Sequence, residues 1–395
     1  MLIEYRSQTC TQTSMETLSD SEKDVFRGSV VKFLDKEVLP FYGKWERQEI
    51  WPRDLWLRLG ESGFLCVDQP VEYGGYGASF ELNCIVVHEI AKAGLGALAS
   101  GVSVHSDIVA PYILHLGSEE QKQRILPRMV TGEVVGAIAM TEPGAGSDLQ
   151  SITTSAIRDG DDYIINGAKT FITNGQHCDV VIVAAKTDPK AGSRGMTLFT
   201  MDCDSLGFER GRNLEKVGLS SGDTSEMSFS DVRLAVSEIL GGVGEGFANL
   251  MNELPRERLI LGVGCVGAAD GILEQTVAYV TERKAFGEPL SRFQNTRFEL
   301  ADVKTEIELN RALVEKCIDK YVDGSLTTEE ASMVKLASSE MQGKVVDRCL
   351  QLFGGYGYMK EYPIARAYVD ARVQRIYGGT SEVMKELIAR SLVGR

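Results

Sequence analysis

"EVVGAIAMTEPGAGSD", Glu133 to Asp148, is where the chain changes character. Its first half is short, apolar and partly β-branched, as a strand would be, and its second half is a Gly-rich turn leaving that strand. Upstream, from Ser19 to about Gly132, apolar residues fall at helical spacing; in "DVFRGSVVKFLDKEVL" Phe26, Val30, Phe33 and Leu34 share a face. Helices are predicted over 54–60, 79–93 and 97–116, and "GSEEQKQRILPRM" opens another with Ser118 as its cap and acids in its first turn. Downstream, "SITTSAI", "DYIINGAKTFITNG", "DVVIVAAKT", "GMTLFTMD" and "EMSFSDVRL" are short and separated by Gly, Asn and Asp, with no long helical pattern between them. That predicts an antiparallel barrel or sandwich without βαβ crossovers. From Gly241 long helical patterns return over 246–284, 293–321, 327–353 and from near Thr380, which suggests an antiparallel bundle. The fold class expected is α+β in three parts packed as one body: helices in 1–132, a β-domain in 133–240 and a helical bundle in 241–395.

At 395 residues there is ample apolar material for a core. A net charge of −14 argues against a nucleic-acid or anionic-membrane binder, so an anionic ligand would need a local basic site. The eight cysteines (Cys10, Cys66, Cys84, Cys178, Cys203, Cys265, Cys317, Cys349) form no C-x-x-C pair and read as reduced and mostly buried, which suits a cytoplasmic compartment. His88, His105, His115 and His177 never stand at i, i+3 or i, i+4, and although His177 adjoins Cys178, no further ligand is at metal-site spacing, so no metal is expected. "MLIEYRSQTCTQTSMETLSD" lacks a targeting pattern and reads as a short frayed tail. The longest nearly apolar run, "LILGVGCVGAA" from Leu259 to Ala269, is shorter than the ~20 residues that span a bilayer, so no membrane insertion is expected.

Gly262, Gly264 and Gly267 in "GVGCVG" match G-x-G-x-x-G, but the run lies inside a helical pattern with no preceding strand; small residues where helices approach closely explain it better. In "TEPGAGSD", Gly144 and Gly146 allow a tight turn and close approach of the backbone to a ligand, while Thr141 and Ser147 offer hydroxyls. An ordinary Pro-Gly turn is the alternative. Further on come "KTFITNG" (Lys169 to Gly175), "ERKAFGEPL" (Glu282 to Leu290), "QLFGGYGY" (Gln351 to Tyr358) and "IYGGTSE" (Ile376 to Glu382). Singly these are a strand, a helix end, a glycine turn and a helix cap.

Together, in this order and spacing, they resemble the acyl-CoA dehydrogenase family from about residue 20 to the end. The resemblance implies a helical domain, a middle antiparallel β-barrel and a C-terminal four-helix bundle, assembled as an FAD-dependent homotetramer. Such enzymes introduce a trans double bond between Cα and Cβ of an acyl-CoA in fatty acid β-oxidation and pass electrons to an electron-transfer flavoprotein. Carried over by motif, Ile138, Met140, Thr141, Gly146, Ser147, Phe171, Ile172 and Thr173 should face the flavin; Phe171 stands where many members have Trp. Arg283, Phe286, Gln294, Gln351, Gly354 and Gly355 look like segments that reach a neighbouring subunit's FAD. Thr380, Ser381 and Glu382 open a helix whose free N–H groups and dipole suit an anionic cofactor.

Most members carry the catalytic glutamate after the tyrosine of the last motif; here that position is Gly378, which keeps only its N–H to offer the thioester oxygen. The long-chain and isovaleryl types instead supply the carboxylate from a helix just before an arginine. In "ELPRERLIL" that position is Glu257, with Arg258 following, and Glu257 is the expected base. Burial would push its pKa up, and Arg256 and Arg258 would pull it down. Glu142 and Glu382 are rival carboxylates that the resemblance puts on the cofactor side. For the CoA and acyl parts the resemblance points to Ser147, Ser193, Arg194, Pro255, Arg256, Arg258, Tyr377 and Gly379, and to Ser100, Gly101 and Val104 at the bottom of a deeper, apolar acyl pocket. The substrate expected is a medium- to long-chain acyl-CoA, branched chains included, with a short branched isovaleryl-type substrate as the alternative. A flavin oxidase or monooxygenase relative and a non-catalytic CoA-binding protein are the rival readings.

Overall fold

The computed structural model describes residues 19–394. The tail read as frayed, with Cys10 in it, falls outside them. The helical first part comprises α1 (Asp20–Phe33), α2 (Leu39–Gln48), α3 (Asp54–Glu61), α4 (Phe80–Lys92), α5 (Gly96–Ser103), α6 (Ala110–Leu116) and α7 (Glu119–Val130). Ser19 with Glu22 and Ser118 with Gln121 form reciprocal capping boxes that start α1 and α7. The single helix expected over 97–116 is interrupted by a π-turn, Val104–Val109, between α5 and α6. Pro111 has no N–H to give the Asp107 carbonyl one turn back. Arg256 Nε, from a distant helix, donates to that carbonyl at 3.0 Å instead.

Eight strands follow: β1 (Gly136–Ala139), β2 (Ser155–Asp159), β3 (Asp162–Thr173), β4 (Val180–Lys186), β5 (Met196–Asp202), β6 (Phe208–Asn213), β7 (Thr224–Ala235) and β8 (Ile239–Leu240). They form one sheet in the order β6-β7-β3-β2-β4-β5-β8, with β1 also on β4. The expected all-antiparallel pairing is corrected: β1 and β2 both meet β4 in parallel. Strand β4 is buried on both faces. Val180, Ile182 and Ala184 enter a core shared with the N-terminal helices, and Val181, Val183 and Ala185 enter the core of the β-domain. A doubly buried strand reads as a continuous apolar run and is the usual seat of parallel pairing. The edge strand β6, "FERGRN", escapes sequence detection because most of its side chains are exposed and charged.

The last part holds α8 (Gly246–Glu282), a short hairpin of β9 (Lys284–Ala285) and β10 (Glu288–Pro289), then α9 (Gln294–Val322), α10 (Thr328–Phe353), α11 (Pro363–Asp370) and α12 (Ser381–Val393). The mid-helix glycines of α8 face other helices. A Cβ on Gly262 would stand 2.4 Å from Val334 of α10, one on Gly267 2.5 Å from the His88 carbonyl of α4, and one on Gly271 1.9 Å from the Lys92 carbonyl. The glycine motif is thus a seam for helix packing. The stretches Gly96–Leu116 and Gly246–Glu282 are long and apolar enough to cross a membrane by length and composition, more than the apolar-run reading suggested. They are core helices, 72% and 61% buried over their most apolar windows. The seven described cysteines are free and buried.

Replacing Gly271→Val should lower stability by about 3 kcal/mol through overpacking against the α4 backbone. Gly264→Ala, whose Cβ would meet only Val87 at 3.5 Å, should be neutral or up to about 1 kcal/mol stabilising. Chemical denaturation of the two variants reads both outcomes.

Candidate active site

Glu257 sits on the second turn after Pro255's partner carbonyl in α8 and is 7% exposed. Pro255, half-buried, leaves the Met251 carbonyl without its helical N–H, so the helix is loosened just before the acid. One carboxyl oxygen of Glu257, Oε1, accepts a hydrogen bond of 2.9 Å from the hydroxyl of Tyr112, itself fully buried on α6. Burial drives the Glu257 pKa up to about 7; the Tyr112 hydrogen bond and the Arg258 charge pull it back only in part, and Glu253 adds to the rise. The group can therefore hold or release a proton near neutrality.

The Tyr377-Gly378-Gly379 loop lies over the same stretch of α8. Gly378 and Gly379 have φ of 65° and 97°, a region that favours glycine. A Cβ on Gly378 would stand 3.3 Å from Leu261 Cδ1, one turn beyond Glu257. Arg258, 3% exposed, directs Nε to the Gly378 carbonyl at 3.5 Å and Nη1 to Ser332 Oγ at 3.4 Å. Beneath the loop the fully buried Lys335 of α10 donates to the Gly379 carbonyl, and burial lowers its pKa to about 8. The Tyr377 hydroxyl donates to Gln374 Oε1 at 2.9 Å.

A second group forms at β1 and β3. Ala137 and Ala139 enter the β-core, while Ile138 and Met140 alternate to the other face, partly covered by the helical core. The Thr170 N–H donates to the Thr141 carbonyl at 2.9 Å, which sets Thr141 beside Phe171. Between Lys169 and Ile172 the register of β3 on β7 shifts. There Phe171 takes φ 61° and stands 67% exposed, as a bulge re-aims a side chain. Thr173 is half-buried, and Gly146 and Ser147 are exposed. Beyond each glycine's own chain neighbours, no protein atom lies within 4 Å of where a Cβ on Gly144 or Gly146 would stand. Glu142 is engaged elsewhere: it accepts from the Thr153 and Thr154 N–H groups and from Lys169 Nζ. These partners outweigh burial and hold it well below the ordinary carboxylate range.

A third group is remote. Arg283 ends α8 26 residues after Glu257, about 39 Å at the helical rise of ~1.5 Å per residue. Arg283, Gln351, Gly354 and Gly355 line a cavity of about 610 Å³, with the Arg283 guanidinium 5.3 Å from the centre of the Tyr356 ring. Phe286, 98% exposed with φ 54°, and Gln294 at the start of α9 are exposed beyond it. Ser193 and the exposed Arg194 form a turn whose carbonyl side touches Gly244, just before α8.

Several of the expected residues have partners inside the chain. Arg256 is 5% exposed and spends its donors inside the chain, on Asp68, the Asp107 carbonyl and carboxylate, and Tyr321. Arg258 is likewise turned under the loop and away from solvent. The Gly101 Cβ position is taken by Trp51 at 2.8 Å and Asn174 at 2.9 Å, so the absence of a side chain there makes room for Trp51. Ser100 and Val104 remain half-buried. The Ile172 side chain belongs to the β-core, which leaves only its backbone for a ligand. Ser381 donates to Glu340 Oε1 at 2.8 Å, Thr380 caps α12 by accepting from the Val383 N–H, and Glu382 is exposed in the first turn. Sequence reasoning missed Tyr112 and Lys335. A lysine inside the buried stripe of α10 was a detectable signal for Lys335; nothing local marked Tyr112.

The native state prefers Glu257 protonated, so its contribution to stability is full below the ordinary glutamate range and is lost as pH rises through about 7. Glu257→Gln should therefore be more stable than the parent chain at pH 8, by about 3 kcal/mol, with the difference vanishing at about pH 3.5. Urea titrations at the two pH values measure it.

Three family descriptions cover the chain: acyl-CoA dehydrogenase N-terminal domain over 20–133, middle domain over 137–232 and C-terminal domain over 244–393. The mitochondrial long-chain specific acyl-CoA dehydrogenase of Sus scrofa is 47% identical over 385 residues, 97% of this chain and 89% of that protein. The crystal structure of an acyl-CoA dehydrogenase from Geobacillus kaustophilus superposes with a TM-score of 0.93 at 46% identity, covering 96% of this chain and all of that one. A glutaryl-CoA dehydrogenase from Mycobacterium smegmatis, solved in complex with FADH2, superposes with a TM-score of 0.90 at 31% identity, covering 95% of this chain and 96% of that one.

Proposed function

The chain belongs to the acyl-CoA dehydrogenase family, FAD-dependent oxidoreductases acting on CH–CH groups, and on that premise we propose that Glu257 is the base that takes the α-proton of its acyl-CoA. The observation that carries this is a buried carboxyl that titrates near neutrality beneath a loop whose usual acid position holds only Gly378. A general base is most effective with a pKa near the working pH. Gly378, freed of a side chain, lends its N–H to the thioester oxygen, a donor that gains strength as enolate charge develops. The hydride that leaves Cβ would go to FAD when that cofactor is bound.

The residues present fit that cofactor. Gly144 and Gly146 have open space where side chains would stand, and Phe171 presents an aromatic face at the cost of a left-handed backbone. Ile138, Met140, Thr141, Ser147 and Thr173 complete the ring side. Arg283 stands about 39 Å along α8 from Glu257, and Gln351, Gly354 and Gly355 line the same cavity as Arg283, which supports a homotetramer in which these residues, with Phe286 and Gln294, hold a neighbour's FAD. We take Ser193 and Arg194 as contacts for the CoA portion and an electron-transfer flavoprotein as the acceptor. A medium- to long-chain substrate follows the 47% identical relative, and a cytoplasmic location follows the free cysteines.

Anaerobic mixing with a series from isovaleryl-CoA to long straight-chain acyl-CoAs should bleach the flavin fastest with the longer chains. Preference for isovaleryl-CoA would reassign the substrate, and reoxidation faster by oxygen than by the flavoprotein would favour an oxidase. Glu257→Gln should slow bleaching by about 10²–10⁴-fold with flavin retained. In the parent enzyme kcat/KM should fall tenfold per pH unit below about 7. Undiminished bleaching in the Gln variant would sink the assignment.

A further inference from the structure

We propose that Tyr112 is the positioning residue of this reaction: its hydroxyl holds Glu257 Oε1, orients the carboxyl with Oε2 toward the substrate, and favours the ionised, proton-accepting form. Tyr112 lies on α6, fully buried, and the hydrogen bond of 2.9 Å to Glu257 is the one that its hydroxyl makes among the described residues. Glu257 Oε2 has no partner among them. A phenol donates more strongly to a carboxylate than to a neutral acid, because a charge-assisted hydrogen bond is the stronger one. It therefore offsets part of the burial that disfavours the charge, and it fixes which oxygen is left for the proton.

The other groups facing this carboxyl do not replace it. On α8, Arg258 attracts and Glu253 repels the charge, while the Glu253 carboxylate is itself bonded to His115 of α6 at 2.8 Å. From α10, Lys335 is directed to the Gly379 carbonyl. Asp107, in the π-turn, and Asp68 are paired with Arg256. None of these makes a hydrogen bond to Glu257.

The inference rests on Glu257 as the base. Tyr112→Phe, with FAD content and melting temperature checked, should move the acid limb of kcat/KM upward by about one pH unit, so that activity at pH 6 falls about tenfold more than at pH 9. Placing 3-fluorotyrosine at 112, a stronger donor of nearly the same shape, should move the limb downward and keeps the question open to test if the Phe variant folds poorly. A limb that stays in place in both variants, with or without a uniform loss of rate, overturns the proposal. Glu257→Gln measured in parallel separates the two readings: full activity there removes the base itself, whereas an inactive Gln variant with unmoved Tyr112 profiles removes only the role of Tyr112.

Discussion

Two backbones in contact organise this molecule. Helix α8 runs against α4 with Gly267 and Gly271 on the carbonyls of His88 and Lys92, so close that no side chain fits between them. Helices usually keep their axes 8–10 Å apart because side chains stand in the way, and glycine removes that spacer. The seam is reinforced at its rim: His88 bonds Glu89 and Asp270, and Arg311 of α9 closes on Asp270. Because α8 continues unbroken by proline from Arg256 through Gly271, fixing it at this seam also fixes the turn that carries Arg256, Glu257 and Arg258.

From that placement the three neighbours at the Glu sequence take different tasks. Arg256 turns into the helical domain, fills the carbonyl that Pro111 leaves open, and is matched there by Asp68 and Asp107. Arg258 turns the opposite way, beneath the Gly378 carbonyl. Glu257, between them, has a single neutral donor, and a buried carboxyl with a single neutral donor keeps its proton to a higher pH than one with a bonded cation. Glu142 shows the contrast within the same fold, since Lys169 and two backbone N–H groups hold it ionised.

Much of the fold was legible. The periodic apolar stripes of α8, α9 and α10, and the caps at Ser19 and Ser118, are local signals, and the observed helices follow them within a few residues. What escaped was set by distant partners. The π-turn at Val104–Val109 depends on Arg256 arriving from α8, the parallel pairing of β1 and β2 depends on burial of both faces of β4, and β6 lacks an apolar pattern because it is an edge. At the site, Gly378 and Glu257 were legible as a pair through the motif resemblance, but the direction of Arg256 and Arg258 and the use of Gly101 by Trp51 were not, since helical spacing does not say which neighbour a buried side chain meets.

By itself the sequence determined the order of helical, strand and helical parts, the glycine turns that admit a ligand, and the absence of an acid at Gly378. These depend on residue type and spacing along the chain, which the order of residues states outright. Only the tertiary structure decided the proton affinity of Glu257. That quantity is a balance between lost solvation and the few groups that remain close by, and the one that bonds the carboxyl, Tyr112, comes from 145 residues away in the chain.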